Sequence, residues 1–132
     1  VYSSGLYFLV LCFLLYRRLY KGSRMKVSDF FIWSKAMQKE ENRLMDVKGK
    51  EYTVSNEDKF KNFKSIGERM DLPAEQVCLV YLLKHMDSIR NYALTGTEVS
   101  EEPIMGRIQD ARNYLLLLGG IIHEKEWKDK ET

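Results

Sequence analysis

The chain has 132 residues, 45% hydrophobic and 30% charged, which fits one domain with a buried core and excludes a disordered tail. The formal net charge of +2 is unevenly spread: the first 24 residues carry Arg17, Arg18, Lys21 and Arg24 and no acid, so the rest holds 17 of the 21 basic residues against all 19 acids, a balance of −2. That balance does not support direct nucleic-acid binding, which relies on a basic face. A chain of this size folds without disulfides or metals. The two cysteines, Cys12 and Cys78, form no CxxC pair and no Cys/His cluster, which argues against a zinc site or a disulfide framework.

Val1 to Tyr16 is almost wholly apolar and runs straight into Arg17-Arg18. One reading is the end of a transmembrane helix whose basic flank stays in the cytoplasm. Sixteen residues are fewer than the ~20 that span a bilayer. A signal peptide fits poorly, because the basic cluster follows the apolar run and no small-residue cleavage site comes after it. The favoured reading is that residues 1–24 are a non-native leader and that the protein starts at Met25. A membrane contact is expected only if the leader is native. The single domain expected after it covers residues 25–124.

Ser28 to about Asp46 reads as a first helix. Phe30, Phe31, Trp33, Ala36, Met37 and Leu44 fall at helical spacing, with Ser28 as cap and Gly49 as terminator. Residues 51–57 read as a loop holding Tyr52 and Val54. Ser55 or Asn56 then caps a second helix, Asp58 to Met70, with Phe60, Phe63, Ile66 and Met70 on its apolar side. Asp71 is the expected cap of a third helix, Ala74 to Leu94, with Pro73 in its first turn and Gly96 closing it. Glu102-Pro103 opens a fourth helix, Ile104 to Glu124, with Glu102 as cap. The charged tail, residues 125–132, is expected to fray. Four helices with short connections predict an all-α fold, an antiparallel bundle of about four helices.

The third and fourth helices place polar residues where apolar ones are expected. Lys84, Asp87 and Asn91, spaced by three and four, share a face that Val77 and Val80 continue. On the fourth helix Arg107, Asp110 and Tyr114 share a face, with Asn113 beside Asp110 and the apolar set Ile108, Ala111, Leu115 and Leu118 next to it. If the two helices pack, Lys84, Asp87, Arg107 and Asp110 meet near one end of the bundle. A structural ion network that fixes helix register, Lys84 with Asp110 or Asp87 with Arg107, is the commoner meaning of such a meeting. The functional meaning is a polyphosphate site, with carboxylates holding a divalent cation and the two basic side chains taking phosphate oxygens. His85 projects about 100° from Lys84 around the helix, and a lone histidine is more often an ordinary hydrogen-bonded or surface residue than a ligand. Tyr52, Phe60, Asn62 and Phe63 offer faces for a base, although phenylalanines are more often core. Leu115 to Leu118 with Gly119-Gly120 reads as close packing at a helix crossing or a dimer seam, too short to span a membrane.

Five strings, KGKEY at 48–52, DKFKNF at 58–63, PAEQV at 73–77, KHMDSI at 84–89 and EPIMGRIQDARNYL at 102–115, share an order and spacing. In these the chain resembles the phage-associated nucleotide modification associated domain 1 family, over roughly residues 43–122. The resemblance implies a setting in phage DNA base modification or nucleotide metabolism. It is also similar, more distantly, to the all-α nucleoside triphosphate pyrophosphatases, whose helix-borne acids bind magnesium. Their EExxE and ExxD pattern is absent here, since Leu44 follows Glu40-Glu41 where a glutamate is required. Asp87 and Asp110 would have to act with Glu102 or Glu51.

The expected function is therefore a nucleotide-handling protein that binds a nucleotide or nucleoside triphosphate between helices three and four, with Mg2+ as the cation the resemblance implies. Asp87 and Asp110 are the candidate catalytic carboxylates, and with Glu102 the candidate metal ligands. Lys84 and Arg107 are the candidate phosphate contacts, and Asn113, Tyr52 and Asn62 the candidate base or ribose contacts. Any reaction would be metal-dependent hydrolysis of the pyrophosphohydrolase kind. The alternative is a non-catalytic helical module for protein interaction or dimerisation, with the charged motif as its ion network. A homodimer is compatible with both. The expected location is the cytoplasm of a bacterial or phage-infected cell, or the cytoplasmic face of its membrane if the leader is an anchor.

Overall fold

The structure is a computed structural model that describes residues 24–52 and 57–132. The leader and the capping residues Ser55 and Asn56 lie outside the described residues, except for Arg24. Among those residues the chain is all-α, with four helices: α1 Val27–Tyr52, α2 Lys61–Met70, α3 Ala74–Thr95 and α4 Ile104–Glu131. The bundle agrees with the helical periodicity. No described helix is long and apolar enough to cross a membrane.

Two compact units divide the chain, residues 1–42 and residues 43–132. In the first, α1 begins at Val27, so Ser28 lies inside the helix instead of capping it. Phe30 packs edge-on to Phe31 at 5.7 Å between ring centroids and lies 5.8 Å from Trp33. Met37, Glu40 and Glu41 are buried.

In the second unit α1 continues through Gly49 to Tyr52, beyond the expected end. Gly49 lies inside the helix and does not end it; a Cβ there would meet only the flexible end of Lys59, Nζ at 2.7 Å. The core is built from Phe63 of α2, Val77 and Cys78 of α3, and Ile121 of α4. Phe60, Ile66, Ala74, Tyr114, Leu117 and Leu118 pack against it. A Cβ at Gly120 would come within 2.7 Å of the Phe60 ring, so the missing side chain lets α2 seat on α4.

The helix ends differ from expectation in ways the backbone explains. Asp71 closes α2 in the left-handed region (φ 55°) and does not cap α3. The Leu72 N–H bonds to Gly67 O at 2.9 Å, and a side chain on Gly67 would collide with the Leu72 carbonyl. Pro73 and Pro103 stand just before their helices, and their carbonyls accept the first helical bonds, from Gln76 and Val77 and from Gly106 and Arg107. Gly96 closes α3 at φ 67° as expected. Glu98, and not Glu102, accepts the Ile104 N–H at 2.9 Å. The charged tail is helical to Glu131. Lys128–Glu124 at 2.8 Å, Trp127–Glu131 at 2.9 Å and Lys125–Glu75 at 2.9 Å tie its side chains down.

Candidate functional site

Helices α3 and α4 run antiparallel, since Glu75 pairs with Lys125 while Cys78 Sγ reaches the Tyr114 carbonyl at 3.5 Å. Tyr81 and His85 are one turn apart on α3, His85 buried and Tyr81 38% exposed, and Tyr114 of α4 stacks on both. Its ring centroid lies 5.8 Å from Tyr81 with planes 5° apart, and 5.3 Å from His85 at 26°. Phe63 meets Tyr81 and Tyr114 edge-on at 6.2 and 6.4 Å. Burial pushes the Tyr114 hydroxyl up to about 12 and the Cys78 thiol up to about 11, so both stay protonated at neutral pH.

His85 is 9% exposed, and among the described residues its Nδ1 has no hydrogen-bond partner. Burial lowers its pKa below the ordinary imidazole value, so the ring is neutral at pH 7. The charges of Asp110 and Glu102 oppose that shift, and those of Arg107 and Lys84 add to it. These four side chains therefore lie within electrostatic reach of one buried ring. Tyr52, 65% exposed at the end of α1, is near enough for its charge to act on Tyr114.

Of the residues expected to form a site, Lys84, Arg107, Asp110 and Glu102 act electrostatically on His85, and Asp110 and Tyr52 on Tyr114. Their pairing differs from the expected one. Asp110 is held by Lys48 of α1 at 2.7 Å, and Arg107 by Glu102 at 3.0 Å. Neither Lys84–Asp110 nor Asp87–Arg107 forms. Asp87 and Lys84 are exposed on α3. Asn113 is buried and Asn62 half-buried on α2. The metal set of Asp87, Asp110 and Glu102 is not brought together: among the described residues no three acid, histidine or cysteine side chains are grouped to hold a cation. The physical reason is local. Lys48 and Arg107 already neutralise the two acids, and Asp87 is exposed on α3. These residues do not fit a magnesium site as they stand.

Two surface depressions, of about 470 and 420 Å3, lie at the α2–α3 corner and beside Lys64. None of the expected site residues lines either of them. Sequence reasoning set His85 aside and did not consider Lys48. His85 follows the buried Cys78 by seven residues, but its burial depends on Tyr114 of another helix, which spacing along α3 does not reveal.

Fold and site together define an all-α helical bundle with a buried histidine at the centre of a mixed-charge cluster. Comparison of the chain with family models, curated proteins and solved structures gives no match.

Proposed function

We propose that the chain handles nucleotides, binding the phosphates of a nucleotide beside His85 on the α3–α4 edge. The observation that carries this reading is the His85 ring, buried with a free Nδ1 among Arg107, Lys84, Asp110 and Glu102. A buried polar atom left unpaired costs stability, and such atoms recur at binding sites. Arg107 and Lys84 supply the cations for phosphate oxygens, and the Tyr52 ring supplies a face for a base. The ion pairs Lys48–Asp110 and Arg107–Glu102 are the resting state, in which carboxylates occupy the places that phosphate takes. The setting implied by the sequence resemblance, DNA base modification or nucleotide metabolism in phage, is the one proposed.

Thermal denaturation with a panel of canonical and modified deoxynucleoside triphosphates tests this, with and without magnesium. A ligand at about one hundred times its Kd adds ~2.7 kcal/mol, which raises Tm by about 5 °C or more in a domain of this size. Arg107→Met removes the shift. No shift with any nucleotide refutes the proposal. It would leave the second reading, which the closed ion pairs favour: a non-catalytic helical module whose charges pin α4 to its neighbours.

A further inference from the structure

We infer that a second copy of this chain docks on the open side of the α3–α4 pair, through Leu79, Leu83, Met86, Leu115 and Ile122. Taking Cys78 as the direction from α3 towards α4, Val77 and Tyr81 turn about 60–100° one way, and Leu79, Leu83 and Met86 turn about 80–140° the other. Taking Tyr114 on α4, Leu117 and Gly120 turn about 60–120° one way, and Leu115 and Ile122 turn about 80–100° the other. Because the helices are antiparallel, the same sense of rotation leads to the same side of the pair on both. Helix α2 covers one side, where Phe63 meets Tyr81 and Phe60 meets Gly120. The five aliphatic residues therefore share the other side.

That side is open. Leu79 is 41% exposed, Leu83 51%, Met86 42%, Leu115 54% and Ile122 44%. About half the surface of five large side chains amounts to roughly 400 Å2 of contiguous apolar area, the size of the largest patch on an ordinary monomer and of the apolar centre of a standard interface. Beside Gly119, between Leu115 and Ile122 on α4, there is open space in which a partner helix can approach closely.

Charge identifies the occupant as another copy. The five aliphatic residues carry no charge; Arg112, exposed about 160° from Tyr114 in the same sense, and Arg90 lie towards one end, and Glu126 towards the other. Arg90 continues the α3 stripe four residues beyond Met86, and Glu126 continues the α4 stripe four residues beyond Ile122. Both are exposed, and neither forms an ion pair among the described residues. They lie at opposite ends of an antiparallel helix pair. A twofold axis in the plane of the face and across the helices sets the Arg90 end of one copy over the Glu126 end of the other, twice. The surface is thus complementary to itself.

Sedimentation velocity of the full chain tests this without reference to nucleotides. The wild type is expected to be a dimer. Leu83→Glu and Leu115→Glu, both at positions already in water, are expected to weaken association by about thirtyfold or more while helical circular dichroism is unchanged. Arg90→Glu and Glu126→Arg each weaken it by about fivefold. The double charge swap restores it. A monomer at every concentration overturns the proposal. So does association that Leu83→Glu leaves intact, which would assign it to another surface such as the apolar residues 1–16. Failure of the double swap to restore association overturns the twofold arrangement.

Discussion

Two clusters of charge sit towards opposite ends of the α3–α4 pair, and they are built differently. At one end Lys64 Nζ bridges Asp58 at 2.8 Å and Glu124 at 2.9 Å, lies over the Phe60 ring at 5.9 Å, and shares Glu124 with Lys128. Asp58 also accepts the Phe60 N–H at 2.9 Å. The Lys64 bond holds the Asp58 carboxyl below its ordinary range, and Lys128 and then Lys64 do the same for Glu124. Burial alone would lower Lys64, but its two carboxylate partners outweigh it and raise it. At the other end two separate pairs, Lys48–Asp110 and Arg107–Glu102, stand around a buried imidazole that none of them satisfies. The first cluster is complete in itself, as a structural network is. The second leaves His85 Nδ1 without a partner among the described residues, and the proposed nucleotide site rests on that difference.

The largest effect expected is on the complete side. Gly67 lies one turn after Lys64, where α2 turns into α3, and a Cβ there would strike the Leu72 carbonyl, a backbone atom that cannot swing aside. Gly67→Ala is expected to cost about 3 kcal/mol, read by urea or thermal unfolding. Stability within 0.5 kcal/mol of wild type would mean that the α2–α3 corner is not as tight as described.

A smaller pair of effects sharpens the contrast directly. Lys64→Met should lower stability by about 1 kcal/mol, because the bridge is partly exposed and such pairs are weak, and should leave any nucleotide response untouched. Arg107→Met should change stability by no more than about 1 kcal/mol and remove the nucleotide response. Paired unfolding curves with and without nucleotide read both. Equal loss of the response in the two variants would erase the distinction between the clusters.

The bundle was legible because its helices carry periodic apolar residues and because proline and glycine mark their ends. The errors fall where a local rule met a distant contact. Gly49 looked like a terminator, but α1 runs through it to Tyr52. The tail looked frayed, but Lys125 reaches back to Glu75, 50 residues away, and two i,i+4 contacts support the last turns. The site shows the same limit. Spacing on a single helix found Arg107, Asp110 and Lys84. It could not pair Asp110 with Lys48, 62 residues away. Nor could spacing tell a buried histidine from a surface one, because burial depends on Tyr114 arriving from another helix.

The smallest effect is also the most specific to the open cluster. His85 titrates below its ordinary value of 6.5, chiefly because it is buried. In the unfolded chain the ring takes its proton near pH 6.5. Below that the unfolded state binds more protons than the folded one, so the contribution of the neutral ring to stability is full above pH 6.5. It is lost as pH falls through the depressed folded value. Unfolding curves between pH 7.5 and 5 should therefore show a decline that His85→Gln reduces. A phosphate bound beside the ring adds negative charge there, which favours the imidazolium and raises the folded pKa. Saturating nucleotide should then flatten the decline in the wild type and change nothing in His85→Gln. The Lys64 cluster has no group that titrates in this window, so Lys64→Met should keep the wild-type slope. If it instead abolished the slope, the pH response would belong to the closed network, and the contrast between the two ends would be wrong.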